Sequence, residues 1–147
     1  MSGQALSLLK VLALISFYGY VAALFALGAA GLLAPVQELD ALYQVKVDPA
    51  AHPDDIVLLH QYRFMKGLVL GFGIFCVAFR REILFGGTPS WIFVATLFLG
   101  VAGRLASAGL DGAPPARLIS FTFSEVVFGL LILAYVQARR RTGAAAA

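Results

Sequence analysis

Four long apolar segments, separated by polar stretches, account for most of the chain. A membrane-spanning helix needs about 20 mostly apolar residues, and each of these segments is long enough to form one. They cover residues 11–33, 56–79, 89–108 and 116–137, and the longest polar stretch, residues 34–55, separates the first two. The pattern predicts an all-α integral membrane four-helix bundle, a single transmembrane domain over residues 1–147. We also expect a short interfacial helix near residues 35–42 of the connecting loop.

The first apolar segment is predicted to be a retained helix rather than a cleaved signal peptide. Small residues at Ala29, Ala30 and Gly31 resemble a cleavage site. However, the segment has 23 residues, whereas the apolar part of a signal peptide has roughly 7–15. Its length therefore favours a membrane helix.

The composition indicates that lipid surrounds this chain. Hydrophobic residues make up 61% and charged residues 13%, whereas a soluble domain has about 45–50% and about 25%. The net charge of +3 results from 11 Lys and Arg against 8 Asp and Glu, and most of the basic residues lie at predicted helix ends, so we expect no nucleic-acid partner. The single cysteine, Cys76, excludes a disulfide scaffold. His52 and His60 fit solvated loop and cap positions better than metal ligands, and we expect no cofactor.

Positive charge is concentrated on one side of the predicted membrane segments. Six Lys and Arg residues flank one set of helix ends, whereas the loop 34–55 holds five acids against Lys46 alone. The six are Lys10, Arg80, Arg81 and residues 139–141. Because short cytoplasmic loops are enriched in Lys and Arg, we predict that both termini are cytoplasmic. The corresponding location is the inner (plasma) membrane of a bacterium.

Three of the predicted helices carry ionisable residues at similar depth. At about 1.5 Å per residue, these residues lie about 21–25 Å from the inner boundary of a hydrocarbon core about 30 Å thick. Small residues recur on the same helix faces, which favours close helix packing there. The faces combine Arg63 with Gly67 and Gly71, Arg104 with Gly100, and Glu125 with Gly129. We therefore expect these three charges to point into the bundle.

Glu125 is too short to reach the headgroups and needs a partner inside the membrane. The spacing leaves either Arg63 or Arg104 as that partner. Asp111 follows Arg104 by seven residues and could hold it, which would leave Glu125 to Arg63. Lys66 lies off the Arg63 face, and we expect its long side chain to snorkel to the headgroups.

Three stretches together resemble a bacterial family of four-helix membrane proteins, domain of unknown function 4345. They are residues 62–67 with Gly71, residues 103–107 leading to the turn at 111–114, and Glu125 with Gly129. The resemblance covers residues 10–138 and implies the same membrane layout without an assigned activity. Lys66 and the long acidic loop are departures from the family pattern. By architecture alone, the chain is also loosely similar to DoxX-like proteins.

Three classes of function fit these observations. The first is a binding protein for a membrane lipid or a lipophilic small molecule with a polar head. Its candidate ligand-binding residues are Tyr20, Arg63, Arg104, Asp111, Phe121 and Glu125. The alternative is an accessory or structural subunit of a larger membrane complex. The third is an acid–base membrane isomerase in which Glu125 transfers a proton, although no second acid is placed to return it.

Overall fold

A computed structural model of the protein describes residues 3–144, with side chains for residues 4–141. Within this range the chain is all-helical and contains no β-strand, which confirms the all-α part of the predicted fold. A single π-helical turn, Leu39–Tyr43, follows the second of six α-helices. The α-helices are α1 (Gly3–Leu33), α2 (Pro35–Glu38), α3 (Asp54–Ala78), α4 (Arg80–Phe85), α5 (Thr88–Asp111) and α6 (Ala116–Ala144).

Three of the described helices are long and apolar enough to cross a membrane. These segments are Gln4–Leu33, Thr88–Asp111 and Ala116–Arg141. The remaining predicted span forms α3, a helix of 25 residues. Its first half carries two aspartates together with Arg63 and Lys66, which lower its apolar character. Length and composition therefore support three of the four predicted membrane-spanning helices, and the crossing by α3 stays a prediction.

The described chain divides into two compact units. One unit combines the first part of α1, up to Tyr20, with the chain from Cys76 onward. Its largest fully buried side chains come from α1, the end of α3, and α4 to α6. They are Phe17, Cys76, Ile83, Phe93 and Ile132. Aromatic contacts join α1 to α5, with the Phe17 and Phe93 ring centroids 5.7 Å apart.

Close packing joins α5 to α6 in this unit. A Cβ added at Gly129 would lie 2.9 Å from the Leu97 side chain, so the missing side chain allows the two helices to approach. The short helix α4 buries Ile83 and ends at Gly86. Gly86 has a φ of 90°, a left-handed conformation that glycine adopts without steric cost.

The second unit comprises Val21–Phe75. Here the second part of α1 packs against α3, and a Cβ at Gly28 would lie 2.7 Å from the Leu70 side chain. The loop between these helices begins with α2 and the π-helical turn, which ends at Gln44 in the left-handed conformation. Leu39 of the turn packs in a buried cluster with two residues of α3, Leu59 and Tyr62. The polar stretch 34–55 is therefore partly helical and packed.

Candidate functional site

Arg104 of α5 and Glu125 of α6 form an ion pair within the apolar spans. Nη1 of Arg104 donates to Oε2 of Glu125 at 2.7 Å. The same nitrogen lies 3.5 Å from the hydroxyl oxygen of Thr122, which itself donates to a backbone carbonyl of α6. The structure thus selects Arg104 over Arg63 as the partner of Glu125.

The two members of this pair differ in exposure. The Arg104 side chain is 41% exposed and the Glu125 side chain 19% exposed. Gly129, one turn beyond Glu125, brings α6 against α5 at Leu97 and Phe98. The carboxylate is thus the more buried member of the pair, while the guanidinium extends to the surface of the unit.

The N–H groups of Arg104 that have no acceptor in the described chain define what this site can bind. A guanidinium has five N–H donors in a planar fork, and only Nη1 of Arg104 donates to an atom of the described chain. Within an apolar span, an exposed N–H group without an acceptor costs free energy. The arrangement can therefore hold a carbonyl, carboxylate or phosphate oxygen.

The other predicted site residues of this unit lie in different surroundings. Asp111 accepts a hydrogen bond of 2.7 Å from the hydroxyl of Ser107. Within the described chain Arg104 pairs with Glu125 and forms no ion pair with Asp111, so the interpretation that Asp111 holds Arg104 was wrong. Tyr20 packs edge-on against Phe93, with centroids 5.8 Å apart.

Two predicted site residues are exposed. Phe121, one turn before Glu125 on α6, is 37% exposed. Arg63 belongs to the second unit, is exposed, and forms no ion pair with any residue from 3 to 144. A Cβ at Gly67 or Gly71 would meet open space. The face shared by Arg63 is thus not a packing face within the described chain.

A second ion pair, which the sequence did not reveal, occupies the second unit. Nζ of Lys66 donates to Oε1 of Glu38 at 2.7 Å, and both side chains are buried. The prediction that Lys66 snorkels was wrong, because α2 carries Glu38 to within hydrogen-bond distance of it. The signal in the sequence for a pair between Lys66 and Glu38 was weak. A lysine inside an apolar helix needs a partner, but five acids of the loop were equally eligible.

A glycine and two tyrosines surround this second pair, and we call the group the Glu38 cluster. It consists of Gly31, Glu38, Tyr43, Tyr62 and Lys66. Nζ of Lys66 lies 5.0 Å from the Tyr62 ring centroid, and Tyr43 packs edge-on against Tyr62. A Cβ at Gly31 would overlap Lys66 and Glu38. Oε2 of Glu38 and the Tyr62 hydroxyl are buried without a hydrogen-bond partner in the described chain.

The fold and the charged pairs together indicate the class of protein. Three apolar helices suggest a protein embedded in a membrane. Among the described residues, no group of three or more His, Cys, Asp or Glu side chains is placed to hold a metal ion. The ionisable residues of the spanning helices are therefore the candidate functional residues.

Comparison with known proteins identifies the family. The model of the family described as Domain of unknown function (DUF4345) matches residues 10–136. The chain belongs to this family, which confirms the resemblance seen in its sequence. No curated protein and no solved structure matches the chain. The likeness to DoxX-like proteins stays a prediction.

Proposed function

We propose that the protein binds a lipophilic molecule whose polar head contacts the Arg104–Glu125 pair within the membrane. The observation that carries this proposal is the half-exposed guanidinium of Arg104. It lies inside an apolar span, and several of its N–H groups have no acceptor in the described chain. Arg104 precedes the end of α5 by seven residues, about 10 Å of helix rise. A head at this depth lies below the headgroups of the bilayer.

The two residues of the pair have different roles in binding the ligand. Glu125 holds the guanidinium in one orientation, which lowers the entropy cost of binding. The remaining N–H groups donate to an oxygen of the ligand, and Thr122 adds a hydroxyl beside them. Exposed Phe121 on the adjoining turn offers apolar surface to the rest of the molecule.

The same proposal places the protein in the inner (plasma) membrane of a bacterium with both termini in the cytoplasm. Support comes from the concentration of Lys and Arg near one set of helix ends and of acids in the loop 34–55. A ligand in the outer half of the bilayer then reaches Arg104 directly from the lipid phase.

Native mass spectrometry from a mild detergent tests this function. Wild-type protein is expected to carry a reproducible small-molecule adduct on its 15.6 kDa chain. Arg104→Gln should lose the adduct, and Glu125→Gln should lower its occupancy by releasing the guanidinium from its fixed orientation. Arg63→Gln is the matched control, because it removes one exposed arginine that has no ion-pair partner in the described chain.

The alternative outcomes are distinct. A larger mass that contains other polypeptides would overturn ligand binding. The protein would then be an accessory subunit, and a helix of its partner would cover Arg104. A bare chain, or an adduct that Arg63→Gln removes as well as Arg104→Gln does, would also contradict the proposal.

A further inference from the structure

A pocket of about 580 Å³ opens in the first unit, between α1, α4 and α6. It lies at the opposite end of α6 from Glu125, close to the beginning of α1. The described residues that line it include two basic side chains, Lys10 from α1 and Arg139 from α6, and none that is acidic. The pocket therefore combines a partly open volume with a positive charge contributed by two separate helices.

The polar part of the lining suits a phosphate group. Lys10 is exposed and forms no ion pair within the described chain. The Arg139 guanidinium lies 3.6 Å from the centroid of the Phe85 ring, which orients it beside the pocket. The hydroxyls of Ser7 and Tyr135 add neutral hydrogen-bonding groups. Two cations and two hydroxyls match the several oxygen acceptors of a phosphate diester.

The remaining lining is apolar. The leucines and Phe85 supply hydrocarbon surface from both α1 and α4. Phe85 is 55% exposed, so this surface continues to the outside of the unit. The acyl chains of a lipid that carries the phosphate would follow such a surface, whereas an inorganic ion would gain nothing from it.

The position of the pocket along the helices agrees with a headgroup ligand. Arg139 lies two residues before the end of the span Ala116–Arg141. The neighbouring Arg140 donates to the carbonyl of Gly86 and lies 5.3 Å from the Trp91 ring centroid. Tryptophan is enriched at membrane–water interfaces, and basic pockets at the ends of membrane helices bind anionic headgroups.

We propose that this pocket binds the phosphate headgroup of an anionic phospholipid through Lys10 and Arg139. The site is separate from the Arg104–Glu125 pair and does not depend on the function proposed for it. A lipid held here would link the beginning of α1 to the end of α6.

The test counts lipids bound to the full-length protein by native mass spectrometry after delipidation and titration. Wild type should bind one phosphatidylglycerol at least fivefold more tightly than phosphatidylcholine. Lys10→Gln should weaken phosphatidylglycerol binding about fivefold, the ratio for about 1 kcal/mol per basic residue near anionic lipid. Arg81→Gln is the matched control. It removes an exposed cation of α4 that does not line the pocket, and less than a twofold change is expected.

A second variant tests the location without changing charge. Ser7→Phe would fill part of the pocket and should also weaken binding of phosphatidylglycerol. Circular dichroism confirms folding of each variant, and both positions are exposed on α1. Unchanged binding in Ser7→Phe would place the lipid elsewhere and overturn the proposal.

Three further outcomes would also overturn it. Equal losses in Arg81→Gln and Lys10→Gln would mean that diffuse charge attracts the lipid. Equal affinity for the two lipids would remove the role of the negative headgroup. Displacement of the lipid by millimolar inorganic phosphate would identify free phosphate as the ligand.

Discussion

The two ion pairs of this protein have the same length and different surroundings. Lys66–Glu38 and Arg104–Glu125 each span 2.7 Å between nitrogen and oxygen. The side chains of the first pair are 7% and 5% exposed, whereas those of the second are 41% and 19% exposed. Geometry alone therefore does not separate a pair that stabilises the fold from a pair that can bind a ligand. Access does.

The buried pair has little room for anything but its own members. Gly31 provides the space that Lys66 and Glu38 fill, and Tyr62 lies beside the ammonium group. Charges removed from solvent attract each other strongly but lose much hydration free energy. The pair therefore ties α2 to α3, and its loss would leave a buried charge. The exposed pair, by contrast, retains donors that face outward.

Removal of Lys66 should have the largest effect on stability. Lys66→Met leaves Glu38 buried without its cation, which is expected to cost about 3–5 kcal/mol of unfolding free energy. Denaturant unfolding in detergent, followed by circular dichroism, measures this loss. Lys46→Met, at an exposed lysine of the same unit, is the control and should stay near wild type. Wild-type stability in Lys66→Met would show that the pair is dispensable.

The glycine that makes room for the buried pair should come next. Gly31→Ala places a methyl group against Lys66 and Glu38, and overpacking of this kind costs about 1–3 kcal/mol. Gly67→Ala is the matched control on α3, where a Cβ would meet open space. It should leave stability unchanged or raise it by up to about 1 kcal/mol, because alanine favours a helix over glycine. Equal effects of the two variants would contradict close packing at Gly31.

The exposed pair should separate stability from binding. Arg104→Gln is expected to lower the unfolding free energy by about 1 kcal/mol, less than Lys66→Met, because the introduced amide can still donate a hydrogen bond to Glu125. The same variant should lose the bound adduct in native mass spectrometry. A loss of stability as large as that of Lys66→Met would make the pair structural and remove the contrast between the two units.

The smallest effect is expected at Asp111. Its carboxylate is exposed and accepts from Ser107, so Asp111→Asn should change stability by no more than about 0.5 kcal/mol. Adduct occupancy should also stay at the wild-type level. Loss of the adduct in this variant would show that Asp111 acts on Arg104 or on the ligand after all.

The contrast between the pairs also shows how far sequence reasoning reached. Arg104 and Glu125 were identified as unusual because each is an ionisable residue deep within an apolar helix, and matching depth left only a choice between two arginines. Glu38 stands in a polar loop among four other acids, so nothing distinguished it. Lys66 was assigned to the headgroups because the sequence did not show how far the loop folds back.

The amino-acid sequence by itself determined the helical class, three of the apolar spans and the family, because hydropathy and helix periodicity are local properties. It also located the charged positions along each helix. Only the tertiary structure decided which charges meet. Partner choice depends on side-chain contacts between α5 and α6, and on the turn of α2 and the π-helical segment after α1. The same contacts decided which pair is enclosed and which stays open, since exposure depends on the neighbours that packing provides.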